Sequence, residues 1–313
     1  MLRAPRLLAL LCLVATPVAA GDLAFVTCQN GDAVDVIDIA AGQSLGGWSV
    51  PGKPAGVAAG AEAVFTVAPE AKTLRRHDPK SGAILAETRL EGGPIGIARD
   101  GPRGRVFVSD WYNARIWVRD AATLAPRAEL PAGAAPAGLA LSPDGQFLAS
   151  ADRDADAVSI FDADTLAPLH RVTVGTRPFG LRFGPEGRLF VANVGSDDVT
   201  VIEPETGTVT ATLPVGARPY GIAFAAGRGF VTNQYADSLS VFDLGTLAPV
   251  ATLETGEYPE GIDATPDGRR ILVANWFDNT VSIIDAETLA MLVSVETCDG
   301  PRAFGAFVLG GTK

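Results

Sequence analysis

The chain has 313 residues and carries 36 acidic against 25 basic side chains, a formal net charge of −11 at pH 7. Such an acidic chain repels nucleic-acid phosphates unless its few cations gather on one face, so nucleic acid is not an expected partner. Its 35 glycines and 22 prolines accompany 47% hydrophobic residues. This composition is typical of a turn-rich folded protein rather than a disordered one.

Residues 1–20 have the layout of a secretory signal peptide. Arg3 and Arg6 form a basic start, residues 7–14 an apolar core, and Val18-Ala19-Ala20 a small-residue cleavage site. The apolar run is shorter than the roughly 20 residues that a membrane-spanning helix needs. We therefore predict that residues 21–313 form the mature protein, which is periplasmic or secreted and does not associate with a membrane.

An internal repeat with a period of 40 to 42 residues runs through the remaining chain. Its acidic marker falls at Asp38, Asp78, Asp120, Asp162, Glu203, Asp243 and Asp285. Its proline marker falls at Pro54, Pro94, Pro136, Pro178, Pro219, Pro259 and Pro301. Each unit reads as four short strands joined by turns, with no amphipathic helix between them. Seven such units predict an all-β, seven-bladed β-propeller of four-stranded antiparallel blades over residues 21–313.

The fullest copy of the repeat begins at Leu189 and reads LFVANVGSDDVTVIEPETGTVTATLPVGARPYGIAF. This copy resembles a repeat of the YVTN family of β-propeller proteins, and the resemblance covers essentially all of residues 21–313. Later copies keep the Asn that ends the family motif, at Asn193, Asn233 and Asn275, whereas earlier copies have Cys28, Ala68, Asp110 and Ala151 there. WD repeats have a similar period, but the Trp-Asp dipeptide is missing from its expected place. The resemblance implies a fold that hosts many activities.

The two ends of the repeat array are expected to meet in one blade. The mature chain begins at the second strand of a unit and ends with a first-strand segment, Pro301 to Val308. This segment should complete the first blade and leave no open sheet edge. Cys28 and Cys298 both converge on that shared blade. Because the compartment is oxidising, we predict a disulfide between them, with two buried free thiols as the alternative.

Recognisable catalytic and metal-binding patterns are few. His77 and His170 fall within strand segments rather than loops, so we expect no haem ligand, no histidine metal site and no cofactor. Gly42–Gly46 matches the G-x-S-x-G string, but on a β-turn rather than the strand-to-helix elbow that the nucleophile requires. Asp152–Asp156 carries a D-x-D-x-D run without the Gly and distal Glu of an EF-hand loop. We interpret it as a solvated acidic loop.

The candidate binding site lies on one face of the ring, here called the upper face. It carries the loops that lead into each first strand and the loops that follow each second strand. An otherwise acidic chain gathers cations and aromatic side chains there, the groups that hold planar anions or anchor interfaces. The predicted binding residues are Lys53, Trp111, Tyr112, Arg177, Phe179, Arg218, Tyr220, Tyr258, Glu260, Trp276 and Arg302, and the same loops add Arg115, Tyr235 and Phe277. The alternative is that these residues only cover the blade tops.

These residues favour a non-catalytic, monomeric propeller that binds an anionic small molecule or a periplasmic partner protein through its upper face. The resemblance implies an accessory role beside periplasmic quinone-dependent oxidation systems. One alternative is a propeller enzyme, either a lactonase or a quinoprotein-type oxidoreductase, although the loops lack a basic His and the tryptophan-docking repeats of quinone-binding propellers. A third is binding of single-stranded nucleic acid by stacking, which the net charge opposes.

Overall fold

Seven β-sheets form the blades of a β-propeller in the computed structural model, which describes residues 21–311. The four repeat strands of a blade run antiparallel to their neighbours from the central channel to the rim, as in the fifth blade. The seven-bladed, all-β fold is therefore confirmed. The predicted signal peptide, residues 1–20, lies outside the described residues.

The first four blades contain the following strands. Blade 1 contains Leu23–Cys28 (β1), Ala33–Asp38 (β2) and Gln43–Ser49 (β3). Blade 2 contains Gly56–Ala58 (β4), Val64–Ala68 (β5), Thr73–His77 (β6) and Ile84–Arg89 (β7). Blade 3 contains Pro94–Asp100 (β8), Arg105–Asp110 (β9), Arg115–Asp120 (β10) and Pro126–Pro131 (β11). Blade 4 contains Pro136–Leu141 (β12), Phe147–Asp152 (β13), Ala157–Asp162 (β14) and Pro168–Thr173 (β15).

The remaining blades repeat the same order. Blade 5 contains Pro178–Phe183 (β16), Leu189–Asn193 (β17), Asp198–Glu203 (β18) and Thr208–Pro214 (β19). Blade 6 contains Pro219–Ala225 (β20), Arg228–Asn233 (β21), Ser238–Asp243 (β22) and Pro249–Glu254 (β23). Blade 7 contains Pro259–Ala264 (β24), Arg270–Asn275 (β25), Thr280–Asp285 (β26) and Met291–Glu296 (β27), and the chain continues into Phe304–Ala306 (β28) and Val308–Leu309 (β29). Between residues 21 and 311 the one helical element is the 3-10 turn Arg153–Ala155, so no helix there could span a membrane.

The acidic marker of the repeat closes the turn between the third and fourth strands. In blade 3, Asp120 Oδ1 accepts hydrogen bonds from the Thr123 backbone N–H at 2.8 Å and the Thr123 hydroxyl at 2.9 Å. The same pair of bonds recurs at Asp78, Asp162, Asp243 and Asp285. These hydrogen bonds lower the pKa of Asp120 below its ordinary value, and the bond from the Thr123 amide has the largest effect. The acids that close these turns are therefore capping groups.

A glycine two residues after the repeat proline lets adjacent blades pack closely around the channel. The position is occupied by Gly56, Gly96, Gly138, Gly180, Gly221 and Gly261. A Cβ on Gly138 would lie 2.6 Å from the carbonyl oxygen of Phe179 on the next blade. Because a real Cβ cannot approach a carbonyl so closely, only glycine allows this spacing of the inner strands.

The last segment of the chain closes the ring across two blades. Val308–Leu309 pairs antiparallel with β1, and a single bridge joins Pro301 to Cys28, so the C-terminal strand completes blade 1 as predicted. Phe304–Ala306 pairs instead in parallel with β4, which gives blade 2 a fifth strand. Ala303 stands where the other inner strands have glycine, and its backbone is left-handed, with a φ of 46°. The chain therefore leaves the inner-strand path of blade 1 at this point.

Cys28 and Cys298 form the predicted disulfide, with their Cα atoms 5.7 Å apart. The bond joins residues 270 positions apart and links the first strand of the described chain to the loop before its last segment. A disulfide of this kind is consistent with an extracellular or periplasmic protein.

The hydrophobic core consists of separate clusters that fill the spaces between neighbouring blades. Between blades 5 and 6, for example, the Phe190 ring lies 4.9 Å from Phe224 and 5.7 Å from Phe242. Core side chains pack at crystal-like density. The blades therefore form a rigid support for the loops of the upper face.

Candidate functional site

The residue before the repeat proline has a left-handed backbone in several upper-face loops. Lys53, Arg177, Arg218 and Tyr258 have φ values of 60°, 53°, 54° and 57°. In each case the backbone N–H donates to an aspartate of the preceding blade; the donor–acceptor pairs are Lys53–Asp32, Arg177–Asp156, Arg218–Asp197 and Tyr258–Asp237, at 2.7 to 2.8 Å. These bonds fix the direction in which four predicted binding side chains leave their loops.

Asp152, in the predicted acidic loop of blade 4, is buried rather than solvated. Its carboxylate accepts hydrogen bonds from the Gly133 backbone N–H and the Ser159 hydroxyl, at 2.8 and 2.6 Å. Burial raises the pKa of Asp152, and these hydrogen bonds oppose the shift. The sheet register gives Asp152, and not Ala151, the place of Asn193 opposite the repeat proline. The assignment of Ala151 to this place is therefore wrong by one residue, since Asp152 lies ten residues before the acidic marker, as Asn193 does in blade 5.

The other two aspartates of this run have separate roles. Asp154 is exposed beside Arg153, with Nη1 and Oδ1 2.5 Å apart. Asp156 holds the loop of Arg177. In residues 21–311 no three His, Cys, Asp or Glu side chains form a group that could hold a metal ion. Each aspartate of the D-x-D-x-D run therefore has a partner within the protein, through hydrogen bonds at Asp152 and Asp156 and an ion pair at Asp154.

Aromatic side chains close the upper end of the central channel. Phe179 and Tyr220 follow the repeat prolines of blades 5 and 6, and their ring centroids are 4.5 Å apart. Phe304 lies against both rings, at 5.1 and 5.5 Å. Trp111 packs beside Phe179 at 6.1 Å. Phe179, Tyr220 and Phe304 are buried, and we call these three residues the aromatic plug.

A buried polar network adjoins the aromatic plug. Arg302 Nε lies 3.1 Å from Glu260 Oε2, and the same guanidinium donates to the Tyr220 hydroxyl at 2.8 and 3.0 Å. Gln234 donates to Glu260 Oε1 at 2.8 Å, and Arg302 Nη1 donates to Gln29 at 3.1 Å. Burial raises the pKa of Glu260, although the charge of Arg302 opposes this shift. Arg302 and Glu260 thus neutralise each other.

Arg177 and Arg218 occupy equivalent positions beside the plug and form no ion pair with any residue between 21 and 311. The Arg177 side chain is exposed. The Arg218 guanidinium lies 4.3 Å above the centre of the Tyr235 ring, and its buried Nε has no hydrogen-bond partner in the described chain. Each arginine stands two residues before a ring of the plug, Phe179 or Tyr220. Two guanidinium groups are therefore available at the centre of the upper face.

An aromatic patch covers the upper face of blades 6 and 7. We use this name for Tyr235, Tyr258, Trp276 and Phe277. The Tyr258 ring lies 5.7 Å from Tyr235 and 4.9 Å from Phe277, and Trp276 lies 4.8 Å from Phe277. Tyr235 and Phe277 are 61% and 58% exposed. Clustered exposed aromatic side chains mark interaction surfaces in soluble proteins.

The predicted residues of blade 3 have mixed environments. Tyr112 is 75% exposed. Trp111 lies below the guanidinium of Arg153, whose Cζ is 5.3 Å from the ring centre. Arg115 is bound to Asp110 and Glu129 at 2.8 and 2.9 Å, so its charge is already paired.

The two histidines and the G-x-S-x-G string have structural positions. His77 is buried in β6, where it bonds to the Thr66 hydroxyl and the Gly82 carbonyl at 2.9 and 3.2 Å. His170 lies in the outermost strand β15 and bonds to a backbone carbonyl. Gly42–Gly46 begins in a turn and continues into the exposed strand β3. None of these residues contacts the upper-face groups described above.

Phe304, Gln29 and Gln234 are not among the residues predicted from the sequence. One signal was present for Phe304. The residue after the repeat proline is small or aliphatic on blades 2–4, as Ala55, Ile95 and Ala137, but large on the others, as Phe179, Tyr220, Glu260 and Arg302. Half of the channel mouth is thus left unfilled. Phe304 belongs to one apolar cluster with Ala137, and Ile95 packs against this cluster.

Comparisons with known proteins agree with the fold. Residues 104–217 match the family model described as "Lactonase, 7-bladed beta-propeller". This match covers a part of the propeller, from β9 to the loop after β19. A search of curated proteins gave no match. The resemblance to the YVTN repeat stays a prediction.

Three solved structures have the same architecture at low sequence identity. Hydrazine synthase of Kuenenia stuttgartiensis superposes with a TM-score of 0.74 and 19% identity, over 88% of this chain and 99% of that chain. A protein of unknown function from Desulfotomaculum acetoxidans superposes with a TM-score of 0.76 and 14% identity, over 92% of this chain and 98% of that chain. A candidate 6-phosphogluconolactonase from Bacteroides uniformis superposes with a TM-score of 0.77 and 18% identity, over 92% of this chain and 98% of that chain. At these identities the likeness shows the fold alone.

Proposed function

We propose that this protein is a binding propeller whose upper face docks an acidic segment of a partner protein. The observation that carries the proposal is the position of Arg177 and Arg218. They lie at the same place on adjacent blades, and neither is paired with a carboxylate in residues 21–311. Arginines of this kind form bidentate, charge-assisted hydrogen bonds with carboxylates.

The aromatic patch supports a protein partner rather than a small ligand. Tyr235 and Phe277 expose more than half of their surface next to Arg218, and Tyr, Trp and Arg side chains dominate the energetics of protein interfaces. The aromatic plug fills the channel mouth beside these residues. A channel mouth filled by side chains fits an extended polypeptide better than a small molecule, which usually binds in a concave site.

The disulfide and the predicted signal peptide support an oxidising compartment for the partner. An accessory role in periplasmic quinone-dependent oxidation, which the family resemblance implies, is compatible with this site. In that setting the partner would offer Asp or Glu side chains beside an apolar residue, to pair with the two arginines and cover the patch.

The test is a comparison of proteins retained by the wild-type protein and by an Arg177→Ala/Arg218→Ala variant in extract of the source organism. We expect the partner to be lost from the double variant and retained by Arg269→Ala, which removes an exposed guanidinium far from this site in the chain. Melting temperatures of all three proteins should agree. Equal retention by the double variant would refute the proposed surface. Native mass spectrometry showing a retained compound of low mass would replace the protein partner with a small anion.

Lactone hydrolysis is a second candidate, favoured by the family match of residues 104–217 and by the fold shared with a candidate 6-phosphogluconolactonase. Glu260, which shares Arg302 with Tyr220 of the plug, is the carboxyl group that we assign as the base. Lactone hydrolysis ranks second because Glu260 is already ion-paired with Arg302 and lies outside the segment that matches the family model. Turnover of a panel of lactones that is abolished in Glu260→Gln would establish the enzyme.

A further inference from the structure

A cavity lies below the aromatic plug, on the opposite side from the proposed docking surface. It occupies the central channel, has a volume of about 270 Å³, and has Tyr220 and Phe304 at its closed end. Ala306 lines it and is exposed, and the Arg182 side chain is 24% exposed. The cavity therefore communicates with solvent at the lower face, which carries the loops between first and second strands.

Small residues make this space available. Four residues after the repeat proline, five of the seven segments have Ala or Gly, namely Ala58, Ala98, Ala140, Ala223 and Gly305. The other two have Arg182 and Asp263, which form an ion pair with Nη1 and Oδ1 2.5 Å apart. Above them, aliphatic side chains such as Leu181, Ile222 and Ile262 form the wall. The repeat thus builds a narrow chamber with a mixed polar and aliphatic lining and with charged groups at one level.

Asp263 is occupied by interactions within the protein. Its Oδ2 accepts hydrogen bonds from the backbone N–H groups of Phe307 and Val308, at 2.8 and 2.9 Å. It therefore anchors the last segment of the chain as well as Arg182. Arg182 makes one hydrogen bond in the described chain although a guanidinium has five N–H donors. Several of its donors remain available to a molecule in the cavity.

Arg99 adds a second guanidinium to the cavity wall. It lines the cavity and forms no ion pair with any residue from 21 to 311. Its guanidinium lies across the backbone of Gly60, where an added Cβ would be 2.7 Å from Cζ. Among the described residues that line the cavity, the charged side chains are Arg99 and Arg182. The lower half of the channel carries an excess positive charge in an otherwise acidic protein.

We propose that this lower channel binds a small monocarboxylate with an apolar body. The carboxylate would pair with Arg99 and the free donors of Arg182, while the apolar part would contact the aliphatic wall below Tyr220 and Phe304. A volume below that of ordinary ligand pockets limits the occupant to a fragment-sized molecule.

This site is independent of the proposed docking surface, since it uses other residues on the other face. The probe is benzoate, with benzyl alcohol as its uncharged analogue, titrated into the mature protein by calorimetry. We expect benzoate to bind and benzyl alcohol to bind on the order of tenfold more weakly or worse, because the analogue lacks a charge-assisted hydrogen bond.

Two variants test the location. Arg99→Met removes a guanidinium without orphaning a carboxylate, and should weaken benzoate binding by about tenfold. Ala306→Phe fills the lower channel at an exposed position and should abolish binding. Arg269→Ala and Arg177→Ala/Arg218→Ala should bind benzoate as the wild type does. The proposal is overturned if the wild type does not bind benzoate, if benzyl alcohol binds equally well, or if Arg99→Met has no effect. Loss of benzoate binding in the upper-face double variant would move the anion site to that face.

Discussion

Arg302 and Glu260 form a buried ion pair between the last segment of the chain and blade 7, with Nε and Oε2 3.1 Å apart. Tyr220 and Gln234 bind the same two side chains from blade 6. Three successive parts of the ring therefore meet at one polar cluster under the upper face. A buried pair of this kind adds little net stability, but it is costly to break, because one charge is then left without compensation.

Replacement of one partner of this pair should therefore lower the free energy of unfolding more than replacement of both. Arg302→Met is expected to lower the free energy of unfolding by about 3–5 kcal/mol, because it leaves the Glu260 carboxylate buried and unpaired. Arg302→Met/Glu260→Gln should recover most of this loss. Urea unfolding of the four proteins of the cycle measures the coupling. A double variant as unstable as the single one would contradict this account of the pair.

The same single variant should depend on pH in a defined direction. Burial raises the pKa of Glu260 above its ordinary 4.5, so the folded state binds this proton more tightly than the unfolded state. The associated stability is present at low pH and is lost as the pH rises through the folded-state pKa. Without Arg302 to oppose the shift, Arg302→Met should approach the wild type in stability near pH 4.5 and fall furthest below it at neutral pH.

The disulfide should contribute strongly to stability because it closes a loop of 270 residues. The chain-entropy estimate for such a loop is about 5 kcal/mol. We expect Cys28→Ala/Cys298→Ala to melt well below the wild type in thermal unfolding followed by circular dichroism. Wild-type protein in reductant should melt at the same temperature as the variant. Equal melting temperatures with and without the bond would show that the β-sheet pairing alone closes the ring.

His77 should make the protein sensitive to mild acid. Burial lowers the pKa of His77 below 6.5, so below pH 6.5 the unfolded state binds a proton that the folded state does not. Stability is therefore lost as the pH falls from 6.5 toward the folded-state pKa. His77→Gln should remove this slope from the free energy of unfolding between pH 7 and pH 5. His170→Gln is the matched control and should retain it; a retained slope in His77→Gln would assign the acid sensitivity elsewhere.

The repeat could be predicted from the sequence because its two markers serve the backbone. The acids cap turns, as Asp120 does, and the prolines begin the inner strands, so both recur in every blade. The course of the last segment could not be predicted, because it depends on one residue that breaks the pattern: Ala303 replaces a glycine. At this residue the last segment leaves the inner-strand path, which brings Phe304 into the channel. Phe304 covers Phe179 and Tyr220, so these two rings are buried and do not form a binding ring.

The candidate site was predictable in part for the same reason. Arg177 and Arg218 could be assigned to the upper face because they precede repeat prolines. Their lack of an ion pair could not be predicted from their position in the repeat. Glu260 and Arg302 occupy the same repeat position on different blades, directly after the proline, and yet they bind each other. Pairing of charges depends on distances across the channel, which the repeat alone does not encode.

The spacing of the inner strands can be tested at a single glycine. A Cβ on Gly180 would collide with the backbone carbonyl of Tyr220 on the next blade, whereas a Cβ on the exposed Gly245 would meet no atom closer than 3.6 Å. We expect Gly180→Ala to lower the free energy of unfolding by about 1–3 kcal/mol, as overpacking does. Gly245→Ala should remain within about 0.5 kcal/mol of the wild type. Because Tyr220 belongs to the aromatic plug, Gly180→Ala should also displace this ring and change the near-ultraviolet circular dichroism of the folded protein. If Gly180→Ala were as stable as Gly245→Ala, the close approach of blades 5 and 6 would not be what requires glycine at this position.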